Sequence, residues 1–472
     1  MDASLIKEFE AFYGCQPQSV VSLPLAGSDR RYYRFSHPNG QSIIGTFSEQ
    51  TTENKRFIEL AQFFGHQGLP VPQVYHVSED FKSYFQSDLG NLSLLEALKQ
   101  NGLTPSLLAS YQSSLKHLAR LQTLTIKAIA PLPHFDKAAI LRDFNYFIYN
   151  FVKPNKIDYD ANLLDVELSE LAQSFGNSPE EQGIMYRDFQ ARNIYLDDNN
   201  QPYFIDFQGS LMGPSAYDAV SLLYQAKAQL PESVRQSMLA YYADCYAQHR
   251  PINKQTFLEN AQRLTLLRLL QVLGSYGFRG LFERRPHFLS SIPEGLKNLA
   301  DWLKTHPQSL SNFPELAKLL AQTSHPDMVA KYTIKQATPE HKLQIYVCSF
   351  SYKKGYPANH TGHGGGYVFD CRGIYNPGRF PEYVELTGKD KSVADFLATK
   401  TEMPNFLKNI FSILDISVTD YIARDFDHLS INFGCTGGRH RSVYAAEQTA
   451  AYLKQTYNVQ VKLIHENQPQ LN

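Results

Sequence analysis

The stretch "IMYRDFQARNIYLDD", Ile184–Asp198, runs directly into "NNQPYFIDFQGS", Asn199–Ser210. It places Asp188 and Asn193 ahead of Asp206, with short strand-like runs between them. Phosphoryl transfer needs one carboxylate to orient a hydroxyl nucleophile, and Mg²⁺ prefers hard oxygen ligands such as carboxylate and amide. The spacing therefore predicts a kinase site with Asp188 as the catalytic residue and with Asn193 and Asp206 as metal ligands. The alternative is an ordinary pair of loops, because Asp and Asn are common in turns.

The whole chain has the composition of a globular intracellular protein. Its 472 residues predict two or three domains, and 43% hydrophobic residues with a net charge of -1 argue against a general nucleic-acid binder. The five cysteines are scattered without metal-type spacing, which favours a reducing compartment. An acidic amino terminus and the lack of a long apolar run predict a cytoplasmic protein that is neither secreted nor embedded in a membrane.

The pattern of secondary structure changes near residue 325. Before this point, hairpin-like segments around the turn "PNG" (Pro38–Gly40) precede a largely helical region, which predicts an α+β bilobal domain. After it, four strand-like segments alternate with helical ones, which predicts a smaller α/β layered-sheet domain. We expect a first domain over 1–325, a linker over 326–341 and a second domain over 342–472.

A second anion site is predicted near the start of the first domain. Ser28, Asp29, Arg30 and Arg31 lie at a turn before a strand, where small and polar residues let backbone N–H groups approach phosphate. The alternative is a hairpin turn with solvated charges. Asp218 follows Gly-Pro-Ser at a predicted helix start, so we expect its carboxylate to satisfy free N–H groups there.

Residues 20–305 resemble the aminoglycoside phosphotransferase and choline-kinase-like family, whose catalytic and metal motifs correspond to "YRDFQARN" and "IDFQ". The stretches "AGSDRRYYRF", "DFQGSLMGPSAYDAVSLL" and "RLLQVLGSYGFRG" are most similar to the anomeric kinases of N-acetylmuramate and N-acetylglucosamine. The resemblance implies a protein-kinase-like fold, ATP, Mg²⁺ and a sugar hydroxyl as acceptor. The chain departs from the family at Tyr186, where His is usual, and on the third strand, where Thr46 stands near the place of the usual Lys.

The stretch "INFGCTGGRHRSV", Ile431–Val443, predicts a third anion site. A strand leads into Gly-rich sequence, and a helix is expected to open at about Arg439, so that backbone N–H groups and Arg side chains can surround a phosphate. Cys435 and Arg441 also have the Cys-x5-Arg-Ser spacing of cysteine phosphatases, in which a thiolate attacks phosphorus. A tight turn with a buried cysteine is the third interpretation.

Residues 342–467 resemble the C-terminal domain of the RapZ family of RNase adapter proteins. The similarity is carried by "SFSYKKG", "YVFDCRGIYNPG", "LTGKDKSVADFL" and "GCTGGRHRSVYAAE". It implies binding of glucosamine 6-phosphate and, as in enterobacterial members, of small regulatory RNA, although no P-loop partner domain precedes it here. The residues carried over, or placed beside the phosphate by the Cys-x5-Arg spacing, are Asp370, Arg372, Cys435, Thr436, Gly437, Gly438, Arg439, His440 and Arg441.

Together these features predict an ATP-dependent amino-sugar 1-kinase of cell-wall sugar salvage, fused to an amino-sugar-phosphate sensor. The rival hypothesis is a regulatory protein that binds phosphosugar or RNA and carries a degenerate kinase fold. The missing strand Lys favours the rival, and the complete set of Asp188, Asn193 and Asp206 favours the enzyme.

Overall fold

The chain forms two compact units in a computed structural model. The first comprises Met1–Phe282 and Ser291–Ala330, and the second comprises Glu283–Ser290 and Lys331–Asn472. The structure describes residues 3–23, 30–125, 131–175, 181–333, 337, 341–357 and 366–471. The proposed linker 326–341 contains a short helix at its start, and Ala337 donates a backbone hydrogen bond to the Tyr457 carbonyl within the second unit.

The first unit opens with a helix and an antiparallel five-stranded sheet in the order β1-β2-β3-β5-β4. Its core is aromatic, with Phe9 of the helix stacked on Phe35 and edge-on to Phe85. The hairpin predicted around "PNG" is confirmed as β2 and β3. The elements are α1 (Ala3–Tyr13), β1 (Ser19–Ser22), β2 (Arg31–Ser36), β3 (Ser42–Phe47), α2 (Thr51–His66), β4 (Val74–Val77) and β5 (Ser83–Ser87).

The remainder of the first unit is helical and is interrupted by two small antiparallel ribbons, β6 with β9 and β7 with β8. The largely helical region predicted from the sequence is divided into several helices, and Pro231 and Pro251 stand at two of the breaks. The elements are α3 (Leu94–Asn101), α4 (Pro105–Gln122), α5 (Lys137–Phe147), α6 (Ala161–Gln173), β6 (Gln182–Met185), β7 (Ile194–Leu196), β8 (Pro202–Phe204), β9 (Leu211–Pro214), α7 (Ala216–Leu223), α8 (Glu232–Ala247), α9 (Lys254–Tyr276), α10 (Pro286–Leu289, counted with the second unit), α11 (Ile292–Thr305), α12 (Pro314–Thr323) and α13 (Pro326–Tyr332).

The second unit contains a four-stranded, fully parallel sheet in the order β11-β12-β10-β13. A sheet of this kind is buried by helices, and Val347, Ile431 and Phe433 lie in its core. The predicted α/β layered sheet is therefore confirmed. The elements are β10 (Gln344–Ser351), β11 (Gly366–Asp370), α14 (Lys391–Thr399), α15 (Met403–Ala423), β12 (His428–Cys435), α16 (Arg441–Tyr457) and β13 (Gln460–His465).

Among the described residues, every helix is too short or too polar to cross a lipid bilayer.

A buried histidine connects the strands of the second unit. The Nδ1 atom of His465 lies 2.8 Å from the Ser349 hydroxyl and its Nε2 atom lies 3.2 Å from Glu447 Oε1. Burial lowers the pKa of His465 below its usual 6.5, although Glu447 opposes the shift. The folded state therefore resists protonation, so His465 contributes stability above that pH and loses it as the pH falls.

We predict that the second unit opens more readily as the pH falls below about 6.5, and that His465→Gln flattens this dependence because Gln does not titrate. Hydrogen exchange of the β13 amides, corrected for the intrinsic pH dependence of exchange, measures the effect. His325→Gln, which changes an exposed histidine, is the control. Equal pH dependence in wild type and His465→Gln would contradict the assignment.

Candidate functional site

The loop that carries Asp188 is held by a buried carboxylate. Asp218 Oδ2 accepts hydrogen bonds from the Tyr186 N–H at 2.6 Å and from Gln122 Nε2 at 2.8 Å, and its Oδ1 accepts from the Arg187 N–H at 2.9 Å. Burial raises the pKa of Asp218 to about 7 against the effect of these donors. The prediction that Asp218 satisfies its own helix start was wrong, because the carboxylate turns toward the catalytic loop.

Arg187 fixes the shape of this loop from the other side. Its backbone has φ of +79°, which a side chain adopts only when the surroundings enforce it. The guanidinium donates two hydrogen bonds of 2.8 Å to Asp143 on α5 and one of 3.0 Å to the Tyr217 hydroxyl. These contacts hold the residue next to Asp188 in one conformation.

Asp188 itself presents its carboxylate to solvent, with a side chain that is 46% exposed. Gln190 Nε2 donates to Asp188 Oδ1 at 3.3 Å, and the guanidinium of Arg268 lies 4.0 Å from the same oxygen. Arg268 is buried and also donates to Gln271 Oε1 at 2.8 Å and to the Tyr217 hydroxyl at 3.3 Å. A fixed cation thus lies beside an accessible carboxylate, which suits a group that must accept or orient a proton.

Asn193 and Asp206 meet next to this carboxylate. Asn193 Nδ2 donates to the Asp188 carbonyl at 2.9 Å and to Asp206 Oδ2 at 3.1 Å. Burial, and then the nearby Asp188, raise the pKa of Asp206. The Tyr186 hydroxyl donates to the Ile205 carbonyl and so ties the catalytic loop to the segment that carries Asp206.

Gln208, two residues after Asp206, could face either a substrate or the protein, and its side chain turns toward Asp206. Gln208 Nε2 donates to Asp206 Oδ1 at 3.0 Å, whereas its Oε1 is buried without a hydrogen-bond partner in the described part of the chain. Carboxylate and amide oxygens are the donors that Mg²⁺ takes, together with waters and substrate phosphates. The donor chemistry fits a divalent cation at Asn193 and Asp206. No group of three His, Cys, Asp or Glu side chains suited to a metal occurs among the described residues.

The five-stranded sheet supplies a cation above this site. Arg30 is buried, and its Nη2 lies 3.4 Å from Glu53 Oε2 on α2. Burial opposes its charged form, but Tyr84, Tyr32 and Glu53 together raise the pKa of Arg30. Arg31 is exposed on β2, and Ser28 and Asp29 lie outside the described residues.

Thr46, the residue near the position of the missing strand Lys, pairs in register with Tyr32 on one side and Tyr84 on the other. Thr46 and Tyr84 are fully buried, and the charge of the Arg30 guanidinium partly opposes the rise in the pKa of Asp206 that burial causes. The buried cation of this sheet therefore comes from the residue just before β2 rather than from β3.

Asp143, Tyr217 and Arg268 were missed by sequence reasoning. Asp143 is 44 residues before Arg187 in the chain, and Tyr217 and Arg268 are 51 residues apart. Each lies within a helix, and the helix that carries Tyr217 is buried at every position, so hydrophobic periodicity does not single out any of the three. Only the packing of α5, α7 and α9 against the loop brings these side chains together.

The second candidate site lies where β12 runs into α16. The strand ends at Cys435 and the helix begins at Arg441, two residues later than the predicted start. Cys435 Sγ lies 3.1 Å from the Ser442 hydroxyl. Arg441 Nη1 donates to the carbonyls of Arg372 and Ile374 at 2.9 and 2.7 Å, and its Nη2 donates to Thr436 Oγ1 at 3.4 Å.

Arg439 and His440 turn their side chains away from this loop. Arg439 Nη2 donates to the Glu385 carbonyl at 2.7 Å, and His440 Nε2 lies 2.8 Å from the Tyr383 carbonyl. Burial lowers the pKa of His440, so the ring is neutral near pH 7. The backbone of Gly437 and Gly438 remains at the turn, where Gly438 has φ of +63°.

Asp370 and Arg372 form a charged pair beside the loop. Arg372 Nη2 and Nε donate to Asp370 Oδ2 at 2.6 and 2.9 Å, and the guanidinium lies 4.0 Å from the centre of the Tyr352 ring. Only Asp370 of the two lies on a strand. The strand ends at Asp370, and Arg372 lies in the short 3₁₀ turn that follows.

Comparisons with known proteins match each unit separately. The phosphotransferase enzyme family matches residues 21–252, and the RapZ C-terminal domain matches residues 343–468. A nucleotide-binding protein of Thermodesulfovibrio yellowstonii is 35% identical over 174 residues, which are 36% of this chain and 59% of that protein. The RNase adapter protein RapZ of Klebsiella pneumoniae is 30% identical over 284 residues, which are 59% of this chain and 91% of that protein.

Among solved structures, a thermostable mutant of the aminoglycoside phosphotransferase APH(4)-Ia is 13% identical with a TM-score of 0.45, covering 64% of this chain and all of that one. The choline kinase LicA from Streptococcus pneumoniae is 13% identical with a TM-score of 0.44, covering 64% of this chain and 99% of that one.

We predict that Asp218→Asn lowers the free energy of unfolding by about 2 kcal/mol, because an amide nitrogen would face a backbone N–H that then lacks an acceptor. The catalytic loop should also lose its position. Urea denaturation monitored by fluorescence of Trp302, the single tryptophan in the chain, reports on the first unit. Asp244→Asn, an exposed carboxylate on α8, is the control, and equal stability of the two variants would contradict the role of Asp218.

Proposed function

The chain belongs to the RapZ family and joins a RapZ C-terminal domain to a phosphotransferase-family domain, and on this premise we propose that it is an ATP-dependent sugar kinase. The proposed acceptor is the anomeric hydroxyl of N-acetylmuramate or N-acetylglucosamine, in the salvage of cell-wall sugars. The observation that carries the proposal is the meeting of Asp188, Asn193 and Asp206 at one place.

The proposed roles follow from the contacts of each side chain. Asp188 accepts a hydrogen bond from the sugar hydroxyl and orients it toward the phosphoryl group, while Arg268, whose guanidinium lies 4.0 Å away, helps to hold the carboxylate in place. Asn193 and Asp206 would hold Mg²⁺, with Gln208 fixing the Asp206 carboxylate. ATP would supply the phosphoryl group, and the bound Mg²⁺ would neutralise the negative charge that develops on it.

Arg30 takes the role of the missing strand Lys in this proposal. A buried guanidinium paired with Glu53 on α2 provides a fixed positive charge at the sheet. A guanidinium can also donate two parallel hydrogen bonds to the oxygens of one phosphate. Ser28, Asp29 and Arg31 stay candidates for the rest of the phosphate-binding turn. The rival hypothesis of a degenerate kinase rests on the absent Lys, and Arg30 weakens that argument.

For the second unit we propose a sensor of amino-sugar phosphate, such as glucosamine 6-phosphate. Arg372 with Asp370, the backbone of Thr436–Gly438 and the buried pair Cys435 and Ser442 lie at the strand-to-helix turn, which suits a phosphate. The phosphatase alternative is disfavoured, because Arg441 is engaged by the carbonyls of Arg372 and Ile374. RNA is the alternative ligand, for which the exposed Tyr356 and Tyr375 offer aromatic rings.

We predict that Asp188→Asn lowers kcat by about a thousandfold or more while ATP binding is nearly unchanged, because the lost group acts on the nucleophile rather than on the nucleotide. Phosphorus NMR with ATP, Mg²⁺ and a panel of sugars identifies the phosphorylated carbon, and a coupled assay gives kcat. Asp197→Asn, in the exposed turn between β7 and β8, is the matched control. A variant Asp188→Asn with most of its rate would refute the assigned role.

We predict that Arg30→Gln weakens ATP binding about tenfold or more, because a buried phosphate-binding charge is worth at least 1.4 kcal/mol. Arg31→Gln, which removes the exposed neighbouring charge, should have a smaller effect. Calorimetric titration with a non-hydrolysable ATP analogue measures both. Equal affinity of wild type and Arg30→Gln would leave the missing strand Lys without a substitute and favour the degenerate-kinase hypothesis.

We predict that the full chain binds glucosamine 6-phosphate but not neutral glucosamine, and that Arg372→Gln abolishes this binding while Arg424→Gln, which changes an exposed arginine on another helix end, does not. Calorimetry gives the affinities. If the phosphosugar regulates the kinase, it should shift the apparent affinity for the sugar substrate by a factor equivalent to about 1–3 kcal/mol. Binding without any change in kinetics would show that the two activities are independent.

A further inference from the structure

Two π-helical turns lie against each other in the first unit. Ile148–Val152 continues α5, and Gly277–Phe282 continues α9. A Cβ atom on Gly277 would lie 2.1 Å from the Asn150 carbonyl oxygen, so only glycine permits this approach of the two backbones. Single π turns are rare in proteins, but those that do occur are often found at functional sites. Such a turn rotates the side chains that follow it relative to the helix before it.

Both α5 and α9 place one charged side chain against the loop that carries Asp188. Asp143 on α5 binds Arg187, and Arg268 on α9 lies beside Asp188. Residues three and seven positions farther along a helix lie on the same face. On α5 and α9 these half-buried positions hold polar and aromatic side chains, namely Tyr146, Asn150, Gln271 and Ser275.

Beyond these positions the π turn of α9 presents an aromatic surface. The rings of Tyr146 and Phe278 are 6.2 Å apart, and Phe278 stacks on Phe282 with the centroids 5.6 Å apart and an angle of 14°. Phe282 is 70% exposed. Large exposed aromatic side chains next to one another mark a binding surface more often than a scattered single one does.

We propose that this face of α5 and α9, from Arg268 to Phe282, binds the acceptor sugar. The face of a pyranose ring packs on Tyr146 and Phe278, because the C–H groups of a sugar match the electron-rich face of an aromatic ring. The Gln271 amide donates to ring hydroxyls, and its hydrogen bond with Arg268 orients it. The reacting hydroxyl then lies toward Asp188. This inference rests on the proposed sugar-kinase function.

The choice of a sugar over other acceptors follows from the surface itself. The named side chains combine flat aromatic rings with neutral amide and hydroxyl groups, and none of them carries a charge. At the inner end the charges of Arg268 and Asp188 lie 4.0 Å apart and offset each other. The surface therefore offers hydrogen bonds and ring stacking, which suit a sugar with its many hydroxyl groups.

The test uses the full chain and compares Phe278→Ala with Tyr149→Ala. Tyr149 is an exposed aromatic residue of the adjacent π turn, on another face of the helix, with Lys153 over its ring. We expect Phe278→Ala to raise KM for the sugar about tenfold with KM for ATP unchanged, and Phe278→Tyr to restore the wild-type value. Tyr149→Ala should change neither constant. If Phe278→Ala does not fold, Phe282→Ala at the exposed end of the surface replaces it.

The outcomes separate this inference from the proposed function. Suppose that the wild-type enzyme phosphorylates a sugar and that the Phe278 and Phe282 variants have the same KM for that sugar as the wild type. This result would overturn the proposed binding site but would leave the kinase assignment standing. Failure of the wild-type enzyme to phosphorylate any sugar would overturn both. A rise in KM for ATP equal to that for the sugar would indicate a general structural effect and would also overturn the site.

Discussion

The candidate active site depends on the buried carboxylate of Asp218. Two successive backbone N–H groups of the catalytic loop and the Gln122 amide converge on it. An unpaired N–H in this interior would cost about 1–3 kcal/mol, so the carboxylate fixes a loop whose Arg187 has an unfavourable positive φ. The positions of Asp188, Asn193 and Asp206 therefore depend on Asp218. The Tyr186 hydroxyl and the Asn193 amide connect the loop to the segment that carries Asp206.

The distribution of positive charge is the second constraint on this site. Three arginines are paired with three carboxylates: Arg30 with Glu53, Arg187 with Asp143, and Arg268 with Asp188. Arg30 and Arg268 are buried and Arg187 is half-buried. A guanidinium with such defined partners provides charge at a fixed place, where a flexible Lys would lose more conformational entropy on binding. A kinase-like fold can thus keep a cation near Asn193 and Asp206, the proposed metal ligands, although its third strand carries Thr46.

The motif "GCTGGRHRS" predicted both a backbone turn and the charged side chains around it, and the second unit bears out the first more fully than the second. Its backbone forms the expected strand-to-helix turn, but Arg439 and His440 pack against the segment Tyr383–Glu385 and not into the loop. The charge near the turn comes from Arg441, whose Nη2 reaches Thr436 in the loop, and from Arg372, which is distant in sequence and lies against the Tyr352 ring. The motif therefore predicted the shape of the turn better than it predicted the directions of its side chains.

The sequence by itself determined the order of the elements, the fold class of both units and the positions of the two loops. These features follow from hydrophobic periodicity, from turn residues such as Asn39 and Gly40, and from short motifs, all of which act between neighbours in the chain. Tertiary structure alone decided the partners of Asp218, the place of Arg30, the contact of Arg268 with Asp188 and the direction of Arg439. Each of these joins residues far apart in sequence, and their approach is set by the packing of whole helices and strands, for which no local pattern of residues is required.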